Sequence, residues 1–318
     1  MNSTATSTPA ASVYSESMRP PPIPIPPRWM AAAVAIGLGI AGAMGGCSAN
    51  ASPPSTQASG APSLPTSGTF DYQLGGTYDS LPDQQGRIDI VVRDAGAAPL
   101  TGAYSVCYVN GFQTQPDEAA DWRDYTDLLL HDAAGDLIVD PDWPDEHILD
   151  PDWPDEHILD PSTADRRSQI LDIIGPVIDS CAQSGFDAVE IDNLDTADRF
   201  PDIDRTGALE LAAAYVDRAH TKGLSIAQKN AAELADAAHT QLGFDFAVAE
   251  ECAAFDECAA YTETYGDRVL AIEYPDTLAE AGLDFADACT VPDRPPLMIL
   301  RDRDLVAAGD HGYRYDTC

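Results

Sequence analysis

The chain has 318 residues, of which 44% are hydrophobic, so it can bury a core and wholesale disorder is excluded. Its 53 acidic residues face 17 basic ones, a formal net charge of -36, and that balance excludes nucleic acid, whose phosphates require a basic footprint. Residues 68–318 hold 52 of the acids. That charge fits either a general solubility trait or a polycationic substrate, and composition does not separate the two.

The amino-terminal region reads as an address and a tether. Residues 29–46, WMAAAVAIGLGIAGAMGG, follow Arg28 and end in small residues before Cys47, the pattern of an export signal. The Met44-Gly45-Gly46-Cys47 junction resembles a bacterial lipoprotein site, with Cys47 as the lipid attachment point and Met18 a plausible start. A plain anchor helix and simple secretion are the alternatives. Either way the protein is expected outside the cell, on the outer face of the membrane or extracellular. Residues 47–67 are rich in Ser, Pro and Ala and carry no charge, so they read as a tether, with the folded unit starting near Gly68.

Eight short apolar runs follow, at residues 70–74, 88–93, 103–109, 186–192, 224–229, 244–250, 269–273 and 297–301. Their nearly unbroken apolar character predicts strands buried on both faces. Residues 168–184 place Ile170, Ile173, Ile174, Val177 and Ile178 on one side of a helix, and 209–222 do the same with Leu211, Ala214, Tyr215 and Ala219 before Gly223 stops it. Repeated strand–helix alternation predicts an α/β fold, a single (β/α)8 TIM barrel over 68–318. An open doubly wound sheet is the rival, and the lack of a Gly-rich phosphate turn after the first strand counts against it. PDWPDEHILD occurs twice in succession, at 141–150 and 151–160. Such identity marks a tandem duplication in a loop region, with one copy expected in place and the other bulging outward.

Six cysteines remain after Cys47, an even number that suggests disulfides in an exported domain. Cys252 and Cys258 are the local pair, Cys289 with Cys318 ties down the terminus, and Cys107 with Cys181 follows by elimination. No paired Cys or His spacing points to a metal, no cofactor motif is present, and the scattered histidines, His147 and His157 among them, read as surface residues.

In such a barrel the chemistry sits at the carboxyl ends of the strands. Those ends read Tyr72-Gln73, Asp94, Tyr108, Asp192-Asn193, Lys229-Asn230, Glu250-Glu251, Glu273-Tyr274 and Arg301. Carboxylates on half of them, with no Ser or Cys nucleophile beside a base, point to glycoside hydrolysis, which needs two facing carboxyls.

These segments resemble the endo-α-1,4-polygalactosaminidase family of glycoside hydrolases. The likeness rests on FDYQLGG at 70–76, CYVNG at 107–111, WPDEHILDP at 143–151 or 153–161, GFDAVEIDN at 185–193, GLSIAQKN at 223–230, FDFAVAEEC at 244–252, DEC at 256–258 and IEYPD at 272–276. The resemblance implies a retaining hydrolase of α-1,4-linked galactosamine polymers, with Asp192 as nucleophile and Glu250 as general acid/base. It implies a cleft lined by Tyr72, Gln73, Tyr108, Lys229, Asn230 and Glu273. Tyr274 at the same rim, and Glu190 on the strand face of Asp192, are added as substrate-side residues. Alternate strand residues face opposite ways, so of the adjacent Glu250 and Glu251 only one enters the cleft. Burial or a negative neighbour is expected to raise Glu250, and Lys229 or Asn230 to hold Asp192 ionised. The expected partner is a cationic or partially acetylated galactosamine polysaccharide, handled by a monomer. A non-catalytic carbohydrate-binding lipoprotein and a glycosidase of other sugar specificity are the competing readings.

Overall fold

The computed structural model describes residues 60–82, 86–115, 122–140 and 156–318. The export segment, Cys47, and the duplicated stretch up to residue 155 lie outside them. Among the described residues, no helix is long and apolar enough to cross a membrane.

All eight predicted strands form: β1 Phe70–Gln73, β2 Ile90–Asp94, β3 Tyr104–Asn110, β4 Ala188–Asp192, β5 Ser225–Lys229, β6 Phe246–Glu250, β7 Val269–Glu273 and β8 Leu297–Arg301. They pair in parallel and in sequence order, and a ninth, β9 Tyr315–Thr317, runs antiparallel to β8. The strand pleat sorts the apolar residues onto two faces. Tyr72, Val92, Val106, Ala188, Ala227, Val248, Ile272 and Ile299, one from each strand, form a single buried cluster on the concave side. Val189, Ile191, Ile226, Ala247, Ala271 and Met298 face the helices.

Those helices are α1 Ala164–Ser184, α2 Arg205–Thr221, α3 Cys258–Tyr265 and α4 Pro275–Glu280, with shorter turns between. Ile170, Ile174 and Ile178 of α1, with Leu211, Tyr215 and Ala219 of α2, are buried against the sheet. Each of the Ile and Leu side chains among them contributes about 1.5–3 kcal/mol. Both helices start four residues before the apolar periodicity does. The reason is capping: the side chain of Thr163 accepts from the Arg166 N–H and that of Asp204 from the Gly207 N–H. Gly185, with φ of 93°, closes α1 in a left-handed turn.

Helix does not follow every strand. Among the described residues, the crossovers from β1 to β2 and from β2 to β3 carry none, so the expected strict alternation holds only from β3 onward. The flanks β1 and β8 meet through side chains instead of a ladder. Arg301 is fully buried. Its guanidinium donates to the Tyr72 carbonyl, to Asp71 at 3.0 Å and to the carbonyls of Val306 and Arg314 at 3.0 Å. The Tyr315 hydroxyl donates to the Phe70 carbonyl at 2.8 Å.

Packing also begins before Gly68, which corrects the expected start. Leu64 is buried in the concave cluster. The Pro62 carbonyl accepts from the Tyr104 hydroxyl at 3.0 Å and the Ser225 hydroxyl at 2.6 Å, at the amino ends of β3 and β5. The last residues of the second decapeptide copy are in place. His157, Ile158 and Leu159 form bridges to Val139, Gln113 and Leu129, and His157 is buried, contrary to the surface reading. Three disulfides join Cys107–Cys181, Cys252–Cys258 and Cys289–Cys318, the three expected pairs.

Candidate active site

A cleft of about 780 Å³ opens at the carboxyl ends of the strands. Its floor comes from concave-facing positions, because strand parity decides which residues enter. Asp192 shares parity with Ala188, Lys229 with Ala227, Glu250 with Val248, and all three border the cleft with Tyr72, Tyr108 and Tyr274. The next residue after each of the three, Asn193, Asn230 and Glu251, has a left-handed backbone, with φ of 62°, 48° and 64°. Such conformations are costly for residues other than glycine and gather at functional sites. Here they bend the chain directly after Asp192, Lys229 and Glu250 into the loops that wall the cleft.

Lys229 is the hub. Its Nζ lies 2.9 Å from Glu250 Oε2, 3.4 Å from Asp192 Oδ1 and 3.7 Å from Glu190 Oε1. It also stands 5.8 Å from the centre of the Tyr72 ring. Burial works against its charge, but the three carboxylates outweigh burial and hold its pKa well above the usual value.

Asp192 accepts from the Tyr108 hydroxyl and from the Asn193 N–H, both at 2.8 Å. Glu250 accepts from the Tyr274 hydroxyl at 2.5 Å and from Asn230 Nδ2 at 3.3 Å, and its own N–H donates to Asn230 Oδ1 at 2.8 Å. Asn230 therefore serves Glu250, and Lys229 alone of the two expected partners reaches Asp192. Burial raises all three phenols, Tyr72, Tyr108 and Tyr274, so they remain donors.

The acid's electrostatics differ from expectation. Burial alone pushes Glu250 up, but Lys229, Tyr274 and Asn230 prevail, and its carboxyl is held below the usual value. The raised group is Glu190, one inward position deeper on β4. Burial lifts it to about 8, against Lys229. Tyr72 donates to its Oε1 at 2.8 Å, and its Oε2 has no hydrogen-bond partner among the described residues. Glu190 is fully covered and touches the site from beneath, without bordering the cleft.

Two predicted cleft residues face the other way. Gln73 lies between Asp71 at 2.8 Å and Arg93 at 3.0 Å. Glu273 accepts the Ala253 N–H at 2.8 Å under the Cys252–Cys258 loop. Both have the outward parity of their strands, which alternation within 70–74 and 269–273 already encodes. Glu251 borders the cleft as well as Glu250, contrary to the expectation that only one of the two enters it, but its carboxylate is engaged away from Lys229. Arg303 donates to it at 2.7 Å, Thr277 donates to the same oxygen, and the Arg303 guanidinium stacks 4.3 Å over the Tyr274 ring. Among the described residues, no group of His, Cys, Asp and Glu is arranged to hold a metal ion.

A family model describing glycoside-hydrolase family GH114 matches residues 50–318. The chain belongs to glycoside-hydrolase family GH114. It is a glycoside hydrolase. Among solved structures it is similar to Aspergillus fumigatus Ega3 in complex with galactosamine, with 20% identity and a TM-score of 0.55 over 84% of this chain and 99% of that one. It is also similar to the glycoside hydrolase domain of PelA from Pseudomonas aeruginosa, with 14% identity and a TM-score of 0.45 over 76% and 97%. No match was found among curated proteins.

In this family member much of the remaining cleft wall comes from the segments that follow the strands, Tyr261 from α3 among them. Asp195, Asp198 and Arg199 follow β4, Glu233 follows β5, Phe255, Glu257 and Tyr261 follow β6, and Arg303 and Leu305 follow β8. The sequence reading stopped at strand ends and missed them. The acids just past each strand are the signal that points to them.

Proposed function

We infer that this hydrolase cleaves α-1,4-linked galactosamine-containing polysaccharide with retention of configuration, using Asp192 as nucleophile and Glu250 as general acid/base. The observation that carries the reading is the shared ammonium. Lys229 lies within hydrogen-bonding reach of both carboxylates, which caps the gap between their nearest oxygens at about 6.3 Å and favours the closer of the two spacings used by glycosidases. Retaining glycosidases hold the pair about 5–5.5 Å apart, whereas inverting ones leave about 6.5–9.5 Å for a water.

Tyr108, Lys229 and the Asn193 N–H hold the Asp192 side chain in place for attack on the anomeric carbon. Glu250 delivers its proton to the departing oxygen, then takes one from the water that releases the sugar from Asp192. In the open site Glu250 is ionised. A bound polymer excludes water from it and strengthens the burial effect that favours the protonated form.

The curled sheet then corresponds to a (β/α)8 barrel whose β1–β8 seam is held by Arg301. Export fits the three paired disulfides, and lipidation at Cys47 is part of the same proposal. The wall acids Glu233 and Glu257, which form no ion pair with a described residue, favour a substrate with free amines; Asp195 and Asp198 are paired with Arg199 and Arg205. The test is a product profile on acetylated and deacetylated α-1,4-galactosamine polymers, with the first-formed anomer followed by NMR. Initial α-configured oligomers support the reading. Initial β-configured ends overturn retention, and no release from either polymer overturns the substrate.

A further inference from the structure

We propose that Phe255 is the stacking platform of a sugar-binding subsite on the leaving-group side of Glu250, occupied by one hexosaminyl ring of the polymer. The proposal rests on the glycosidase reading above.

Among the described residues, two large apolar side chains are left exposed, Phe255 at 59% and Tyr125 at 42%. Phe255 is the one that borders the catalytic cleft, in company with Glu250, Glu257 and Tyr261. Its exposure is built in. The loop from Glu250 to α3 is closed by the Cys252–Cys258 disulfide. Within it the Phe255 N–H donates to the Glu251 carbonyl at 3.0 Å and the Glu257 N–H to the Cys252 carbonyl at 2.8 Å. From below, Glu273 takes the Ala253 N–H at 2.8 Å. Asp256, next to the aromatic residue, is left-handed with φ of 59°. A loop constrained at this many points holds its ring out in water, already ordered for a ligand.

A pyranose ring suits that surface. One face presents C–H groups to an aromatic ring, while the hydroxyl and amine edge turns to polar walls. Glu257 and Glu233 provide such a wall. Both border the same cleft, burial and Glu233 raise Glu257, and no described residue forms an ion pair with either. An ammonium beside the Phe255 ring gains from the ring face as well as from these carboxylates. The loop is continuous with the general acid, not with the nucleophile, which puts the platform under the part of the polymer that leaves first.

The test measures binding, apart from turnover. A partially deacetylated α-1,4-galactosamine hexamer is titrated by calorimetry into Asp192→Asn, Asp192→Asn/Phe255→Ala and Asp192→Asn/Phe255→Trp. Removing the ring is expected to weaken hexamer binding about three- to tenfold, and Trp to restore or tighten it. Free galactosamine is expected to bind all three alike. Equal hexamer affinity with and without the ring overturns the proposal, and so does a Trp variant as weak as the Ala one. Binding read on an inactive variant keeps the two readings apart. Hexamer binding with the expected ring dependence, but no turnover by the native enzyme, defeats the functional reading alone. No hexamer binding to Asp192→Asn defeats both.

Discussion

Lys229 Nζ stands 2.9 Å from Glu250 Oε2, and both groups are shielded at the strand ends of β5 and β6. The same ammonium reaches Asp192 at 3.4 Å, so one positive charge is shared by the two carboxylates proposed to react. Lys229→Met leaves them facing each other unneutralised. Activity on polymer is expected to fall about 100-fold or more. Steady-state kinetics, with circular dichroism to confirm folding, checks this; a variant with near-native turnover contradicts it.

The pull of Lys229 on Glu250 has a consequence for pH profiles. In the free enzyme the Glu250 carboxyl is held below its usual value. Its proton must be present when the glycosidic oxygen leaves, and polymer binding raises it by removing water. The limb belonging to this group is expected at higher pH in kcat, which reports the complex, than in kcat/KM, which reports the free enzyme. A substrate without a free amine at the scissile residue keeps substrate titration out of the comparison. Coincident limbs contradict the account.

Arg301 replaces a strand ladder at the β1–β8 seam. Its guanidinium and the Asp71 carboxylate are both fully buried, 3.0 Å apart. Arg301→Leu removes the charge that neutralises buried Asp71, leaving it the Gln73 amide and the Tyr72 N–H, and the expected loss is about 3–5 kcal/mol in urea denaturation. An unchanged midpoint contradicts a structural role for the seam.

Glu273 gives stability a pH dependence. Burial raises its folded pKa to about 7, more than the Ala253 and Ala254 N–H groups lower it. An unfolded Glu titrates near 4.3. Below that pH both states are protonated. Between it and about 7 the folded state binds more protons, so this group's contribution is lost as pH rises through that window. Glu273→Gln keeps an acceptor for Ala253 and does not titrate. Its Tm relative to the parent is expected to rise from pH 5 to pH 7, and a constant difference contradicts this.

Much of the fold was legible because parallel strands covered on both faces leave unbroken apolar runs, as in Val269–Glu273 and Leu297–Arg301. β9 escaped because Tyr315-Asp316-Thr317 is short and half polar, and only pairing with β8 makes it a strand. Asp192, Lys229 and Glu250 were identifiable as strand-end polar residues. Gln73 and Glu273 were placed in the cleft by the family resemblance, and the parity of their own strands turns them the other way. The depressed Glu250 was out of reach, since it depends on where the head of a long, flexible side chain from the neighbouring strand comes to rest. Phe255 and Glu257 sit in a loop whose path is set by a disulfide, and no periodicity reports such a path.

The most direct test of the account is the rate of oligomer release from partially deacetylated α-1,4-galactosamine polymer by the native enzyme, Asp192→Asn and Glu250→Gln. The native enzyme is expected to release oligomers, and each folded variant to be slower by about 100-fold or more. Native-like release by both variants would contradict the assignment of Asp192 and Glu250 as the reacting pair.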